Sequence, residues 1–275
     1  MKLVKKIMIT LLNLNFFRNA VLISFILSIL FGIFSFFIVS RKMAFLGVGI
    51  SHTAFGGVAL GILFNLNPFF TALVFCLFSA IIIGKVSKYG KISLNTSIGI
   101  YFSFAMALGA VLIKLKQNYN FDLTGYLFGN ILGIRSFDIW TALGLLMIFL
   151  FLILFFFNRI LFLTFDEEVA TISGVSVGLL DTIMLFLLAA IIVVSMKMVG
   201  IILVSALVVL PASFGSLLSS NYRGIIWWGI VFNLFIIVGG LFLSYFLKTP
   251  PGATMVTSGT LIYFISMTVK SVMRR

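Results

Sequence analysis

Charge and metal-ligating side chains are scarce in this chain. Of its 275 residues only 9% are charged, and the charge is lopsided, with 6 acidic residues against 19 basic ones. A soluble domain carries about 25% charged residues, so a water-exposed globular surface is excluded. There is one cysteine and one histidine. Cys76 lies in an apolar run and has no second cysteine to pair with, so it reads as a small buried hydrophobe. A fixed zinc site takes about four Cys, His or carboxylate ligands, and the chain lacks them at membrane depth. It also lacks a G-x-x-x-x-G-K-[ST] loop. Gly84-Lys85-Val86 and Gly90-Lys91-Ile92 have no hydroxyl after the lysine to hold magnesium, so the chain is no ATP-driven motor by itself. The net charge of +13 forms no contiguous soluble basic face. Its residues fall in short loops between apolar runs, where they orient spans and meet anionic lipid, which argues against nucleic acid as a partner. The eleven methionines are scattered, unlike a thioether relay for a soft metal.

Apolar residues are plentiful, at 62%, and they come in runs such as Val21 to Val39 and Leu143 to Phe157. Segments of about 20 apolar residues match the hydrocarbon thickness of a bilayer. The fold class is therefore all-α, a polytopic helical membrane protein with about eight to nine transmembrane helices. The apolar pattern places spans near Asn19–Ser40, Met43–Phe64, Pro68–Gly84, Asn95–Ile113, Phe137–Asn158, Val177–Val194, Met198–Ser219, Gly224–Phe246 and Ala253–Val272. Residues 1–275 read as one transmembrane domain. Residues 1–18 have a basic start and a short apolar stretch without a small-residue cleavage site, as expected of a retained interfacial segment. Gly125 to Ser136 is too short to cross and suits a short helix or re-entrant piece. Basic residues divide almost evenly between the two sides, so charge counting does not orient the spans.

Two segments stand out. His52 sits inside a membrane-length run, and an ionisable side chain there is costly enough to suggest function. Gly47, Gly49, Gly56, Gly57 and Gly61 surround it and allow close helix approach. Ser51, Thr53, Gly56 and His52 are the candidate lining of a path. The alternative is an imidazole hydrogen-bonded to a neighbouring helix. The second segment, Asn158 to Ser176, holds half of the acidic residues as Asp166, Glu167 and Glu168. It suits a short polar helix with carboxylates in its first turn. Such a surface can be gripped by a soluble partner, or it can be a solvated loop with no partner.

Five stretches in order then carry a resemblance. GVGISHTAFGGVALG (Gly47 to Gly61) is followed by Asn67-Pro68. GYLFGNIL (Gly125 to Leu132), DEEVATISGV (Asp166 to Val175), KMVGIILVSALVVLPAS (Lys197 to Ser213) and KTPPGATMV (Lys248 to Val256) follow. Together they resemble the membrane permease subunits of bacterial ATP-binding-cassette importers for zinc, manganese or iron, over a stretch from about Phe16 onward. The resemblance implies a multi-pass protein of the bacterial cytoplasmic (inner) membrane that passes a divalent transition metal ion inward, without being an enzyme. It implies a homodimer of permease chains, a cytoplasmic ATPase dimer, and an extracytoplasmic solute-binding protein, with lipid around them. No tightly bound cofactor is implied; the metal is cargo, and His52 becomes its candidate transient ligand. Residues 158–178 become the cytoplasmic coupling region, with Asp166, Glu167, Glu168, Ala170 and Gly174 at the ATPase.

Two positions depart from the family pattern. Val48 stands where relatives often have aspartate, one helical turn before the histidine, and Lys248 stands where they often have aspartate before the Thr-Pro turn. Val48 keeps open a permease of the same type for a metal chelate or another small solute. An intramembrane enzyme is a reading of another class. It would need paired catalytic groups at depth, and His52 with Ser51, adjacent and about 100° apart on a helix, do not make such a pair.

Overall fold

A computed structural model describes residues 15–116 and 131–273, with Gly125 and Gly129 between them. Met1 to Leu14, Asp122, most of the Gly125–Leu132 stretch, and the final two arginines lie outside the described residues. Among the described residues there is no strand. The described residues form nine α-helices: α1 (Asn15–Ser40), α2 (Ala44–Leu63), α3 (Pro68–Gly90), α4 (Leu94–Leu115), α5 (Ser136–Phe165), α6 (Glu167–Ile172), α7 (Val177–Leu218), α8 (Tyr222–Leu247) and α9 (Pro251–Met273). A 3-10 turn, Ile131–Gly133, precedes α5. All but α6 are long and apolar enough to cross a bilayer, giving 8 candidate spans among the described residues.

The sequence reading has two spans where the structure has α7. This element is 42 residues long and is broken at Gly200, whose φ of 83° and ψ of 159° are not helical. An unbroken helix of that length would extend about 63 Å at 1.5 Å per residue, roughly twice the hydrocarbon core. Glycine adopts this positive φ without a Cβ clash. The two readings differ only in whether the pieces on either side of the break count once or twice. At the other end of the chain, α1 begins at Asn15, so Asn15 to Arg18 are already helical.

The chain divides into two compact units. One comprises residues 37–126 and 148–197. Within it α2 packs against α3 and α4 through its glycines. A Cβ at Gly56 would stand 2.8 Å from the Ala105 carbonyl oxygen, and one at Gly57 would stand 2.7 Å from Ala72 Cα. Loop chemistry sets the helix ends. Asn67 caps α3 by accepting from the Phe69 amide at 3.0 Å, with Pro68 in the first turn, and Ser93 caps α4 by accepting from the Thr96 amide.

The other unit comprises residues 1–36, 127–147 and 198–275. There Pro211 lies inside α7, and the amide of the next residue, Ala212, donates to Ser35 Oγ on α1 at 3.0 Å. Phe214 of α7 stacks on Phe232 of α8 with ring centroids 3.9 Å apart. Gly129, with φ of 70°, lies against the backbone of Val199 and Gly200, where a Cβ would collide. Lys248 is the C-cap of α8 in the left-handed region, with φ of 55°. A cation at that end complements the helix dipole, which gives the departure from aspartate at this position a local structural rationale.

Candidate transport path and coupling segment

His52 lies on α2 between Gly49 and Gly56, in a helix whose centre is almost wholly buried. Val48, His52 and Leu60, which share a face at helical spacing, are the partly exposed residues of that stretch. The ring of Phe102 on α4 lies 5.7 Å away, centroid to centroid. His52 Nδ1 is buried and has no hydrogen-bond partner among the described residues. The hydrogen bond to a neighbouring helix that a packing role would need is therefore not made at this nitrogen.

The other candidate lining residues behave differently. Ser51 Oγ donates to the Gly47 carbonyl at 2.7 Å and Thr53 Oγ1 to the Gly49 carbonyl at 2.8 Å. Both side chains are fully buried, and their hydroxyl protons are committed to the carbonyls of α2 itself. Gly56 lies one turn after His52 on the same face, covered by α4. The structure thus puts His52 and Gly56 on one face and turns Ser51 and Thr53 to others. Among the described residues no three His, Cys, Asp or Glu side chains converge.

The acidic segment folds as anticipated into a short capped helix. Asp166 accepts from the Val169 amide at 2.9 Å as the N-cap of α6. At the far end the Gly174 amide donates to the Thr171 carbonyl and the Val175 amide to the Ala170 carbonyl, with Gly174 at φ of 79°. This paired closure is a Schellman turn, which needs a residue free to take positive φ. Ala170 is the buried anchor of the helix. Outward, Phe165, Val169 and Ile172 are 70%, 45% and 86% exposed. Val169 and Ile172, three apart on α6, lie on one side of it, an apolar ridge beside Glu168.

Two residues that the sequence leaves unremarkable meet here. Arg41, in the turn between α1 and α2, donates from Nη1 to Asp181 Oδ1 on α7 at 2.7 Å. Its Nη2 lies 3.7 Å from Glu167 Oε2 on α6. A cavity of about 920 Å³ adjoins them, lined also by Lys42, Lys85 and Ser93. At the opposite end of α2, Lys116 Nζ donates to the Ile62 carbonyl, and to Asn65 Oδ1 at 2.6 Å. Nearby residues at that end include Phe69, whose ring centroid lies 5.9 Å from Lys197 Nζ. The pairing of Arg41 with Asp181 spans 140 residues of sequence, and no local pattern signals it.

Comparison with known proteins agrees with this architecture. The family model described as the ABC 3 transport family matches residues 13–270. The manganese transport system membrane protein MntC of Listeria monocytogenes is 34% identical over 93% of this chain and 91% of its own length. The high-affinity zinc uptake system membrane protein ZnuB of Haemophilus influenzae is 31% identical over 90% of this chain and 95% of its own. Among solved structures, PsaBC from Streptococcus pneumoniae in complex with Fab superposes with a TM-score of 0.84 at 32% identity, covering 96% of this chain and 95% of that one. With its apolar spans, its capped loop helix and a match along nearly its whole length, the chain belongs to the ABC 3 transport family and is a multi-pass inner-membrane permease.

Proposed function

We propose that this permease passes a divalent transition metal ion, zinc or manganese, into the cytoplasm, and that His52 meets the ion in transit. The observation that carries the reading is His52 itself, partly exposed on an otherwise buried span, with a buried Nδ1 that has no hydrogen-bond partner among the described residues. Neutral imidazole is a common ligand for divalent transition metals, zinc among them. One imidazole binds weakly, which suits an ion that must leave as readily as it enters. Two copies of the chain facing each other would present two His52 rings to one ion. The relatives named for manganese and zinc transport support this cargo class.

Energy comes from a separate ATPase, which the apolar ridge and Glu168 of the α6 segment engage, and cargo is delivered by a solute-binding protein. Asp166, Ala170 and Gly174 hold the shape of that segment, while Glu167 and Glu168 present charge. Val48 supports a second reading, a permease of this type whose cargo is a metal chelate, since the carboxylate that would pair with His52 is missing. Uptake of radioactive zinc and manganese into vesicles holding permease, ATPase and binding protein separates the two. ATP-dependent accumulation of a free ion is the expected result. Accumulation of neither ion would overturn the cargo assignment.

A further inference from the structure

The turn between α1 and α2 is short and internally bonded. The Arg41 amide donates to the Phe37 carbonyl at 3.1 Å, the Met43 amide to the Ile38 carbonyl at 2.9 Å, and the Leu46 amide to the Met43 carbonyl at 2.9 Å. Lys42 between them takes a positive φ of 56°, a conformation that holds the reversal tightly. A force applied to the Arg41 side chain is therefore delivered to the start of α2, the helix that carries His52 less than three turns further on.

The Arg41 side chain is 5% exposed, and its guanidinium is shared by two carboxylates on different elements, the side chains of Asp181 at 31% and Glu167 at 62% exposure. A planar guanidinium can hold two acceptors in a fixed arrangement, which a lysine ammonium does less well. Near-burial also raises the cost of losing a partner. Each carboxylate belongs to a well-anchored body. Glu167 is in α6, capped at both ends, and Asp181 is in the second turn of α7. The cavity of about 920 Å³ on which all three residues open leaves space beside the junction. Ends of three helices thus meet at one side chain, next to space in which they can shift.

We propose that Arg41 is the positioning residue that transmits movement of α6 to the path-lining helix α2, with Asp181 as its fixed counter-charge and Glu167 as the arm that moves. The inference rests on the reading that the α6 segment engages the ATPase. It adds to that reading a mechanical link between the ATPase contact and His52. When α6 is displaced, the Glu167 arm, already longer than the Asp181 bond, changes first. The Arg41–Asp181 bond keeps the turn attached to α7, so α2 and α7 shift together instead of parting.

The test uses the full transporter of permease, ATPase and binding protein in proteoliposomes, with radioactive zinc and manganese uptake and ATP hydrolysis measured on the same sample. Arg41→Gln and Asp181→Asn are expected to retain the ATPase on co-purification and to keep hydrolysing ATP. Ions moved per ATP should fall about tenfold, as for a coupling energy in the usual range. The double variant Arg41→Gln/Asp181→Asn should be no worse than either single one, and R41D/D181R should recover part of the ratio. A wild-type ratio in Arg41→Gln, additive losses in the double variant, or no recovery on charge reversal would each overturn the proposal. If Arg41→Gln fails to reach the membrane, Glu167→Gln decides, because that exposed arm can be neutralised without leaving Arg41 alone. A reduced ratio then supports the link and an unchanged one overturns it.

Failure of the underlying reading has a separate signature. Glu168→Lys, one residue beyond the Arg41 partner, should lose the ATPase on co-purification, and retention would mean that α6 is not the docking segment. If the wild-type complex accumulates neither metal, the cargo assignment fails. The link is then read from the stimulation of hydrolysis by binding protein, which Arg41→Gln should abolish and which would overturn the proposal if unchanged.

Discussion

Gly57 of α2 lies against the backbone of α3, so that a Cβ there would stand 2.7 Å from Ala72 Cα and 2.8 Å from Phe75 Cβ. The neighbouring atoms are a main-chain carbon and a side-chain stem, neither of which can swing aside. In a bilayer, where apolar burial between helices gains little over lipid, close packing of this kind supplies much of the association.

Gly57→Val should therefore lower the stability of the permease markedly. Overpacking a well-filled site costs about 1–3 kcal/mol, and here the helices must separate to accept the side chain. Gly144→Ala is the matched control, since nothing lies within 4 Å of a Cβ at that position of α5. That change should be neutral or stabilising, as alanine is the better helix former by about 1 kcal/mol. Thermal aggregation midpoints of the purified proteins in detergent check both directions. Equal midpoints for the two variants would contradict the packing account.

The path reading predicts opposite effects for two changes one turn apart. His52→Ala removes the imidazole and should cut metal uptake sharply while leaving the amount of folded protein unchanged, because the side chain makes no bond through Nδ1. Val48→Asp restores a carboxylate on the same face at i and i+4. It should lower the apparent KM for manganese, a metal suited by carboxylate oxygen. Concentration series for zinc and manganese uptake measure both. Near-normal uptake in His52→Ala would assign the imidazole to packing instead.

The spans were legible because hydrocarbon thickness constrains apolar runs directly, and eight long helices lie where the runs are. The helix start at Asp166 was legible for a similar reason, since it follows from local backbone chemistry. Pairing across the chain was not. Nothing beside Arg41 marks Asp181 as its partner, because a salt bridge between elements depends on which helix ends the packing brings together. The bonding of the Ser51 and Thr53 hydroxyls was not legible either. Proximity to His52 suggested a shared lining, whereas each hydroxyl donates to a carbonyl of the preceding turn. Whether α7 counts as one span or two turned on a single backbone angle at Gly200, which composition does not encode.

The α6 ridge gives a test of docking that leaves charge untouched. Ile172 is 86% exposed at the end of the helix, and an apolar side chain so placed in water is an energetic liability unless something covers it. Ile172→Ser should weaken retention of the ATPase on affinity purification without lowering the thermal stability of the isolated permease. Ala170→Asp, aimed into the buried side of the same helix, should lower both. If Ile172→Ser left ATPase retention unchanged, the ridge would not be part of the contact.

Lys116 should stabilise the far end of α2 in a way that arginine can replace and methionine cannot. That end closes through Asn65, which takes a positive φ of 55°, with its amide bonded to the Ile62 carbonyl and the Leu66 amide bonded to the Gly61 carbonyl at 2.8 Å. Asparagine tolerates this conformation less easily than glycine. The Lys116 ammonium adds bonds to the Ile62 carbonyl and to Asn65 Oδ1, and a cation at a helix C-terminus is favourable by about 0.3–1 kcal/mol. Lys116→Met keeps the apolar stem but removes both bonds, so the melting midpoint in detergent should fall by a few degrees. Lys116→Arg should stay close to the parent. Asn65→Gly should offset part of the loss in the methionine background, because glycine relieves the backbone strain that the lysine helps to hold. A methionine variant as stable as the parent would show that the cap contributes nothing at this end of the helix.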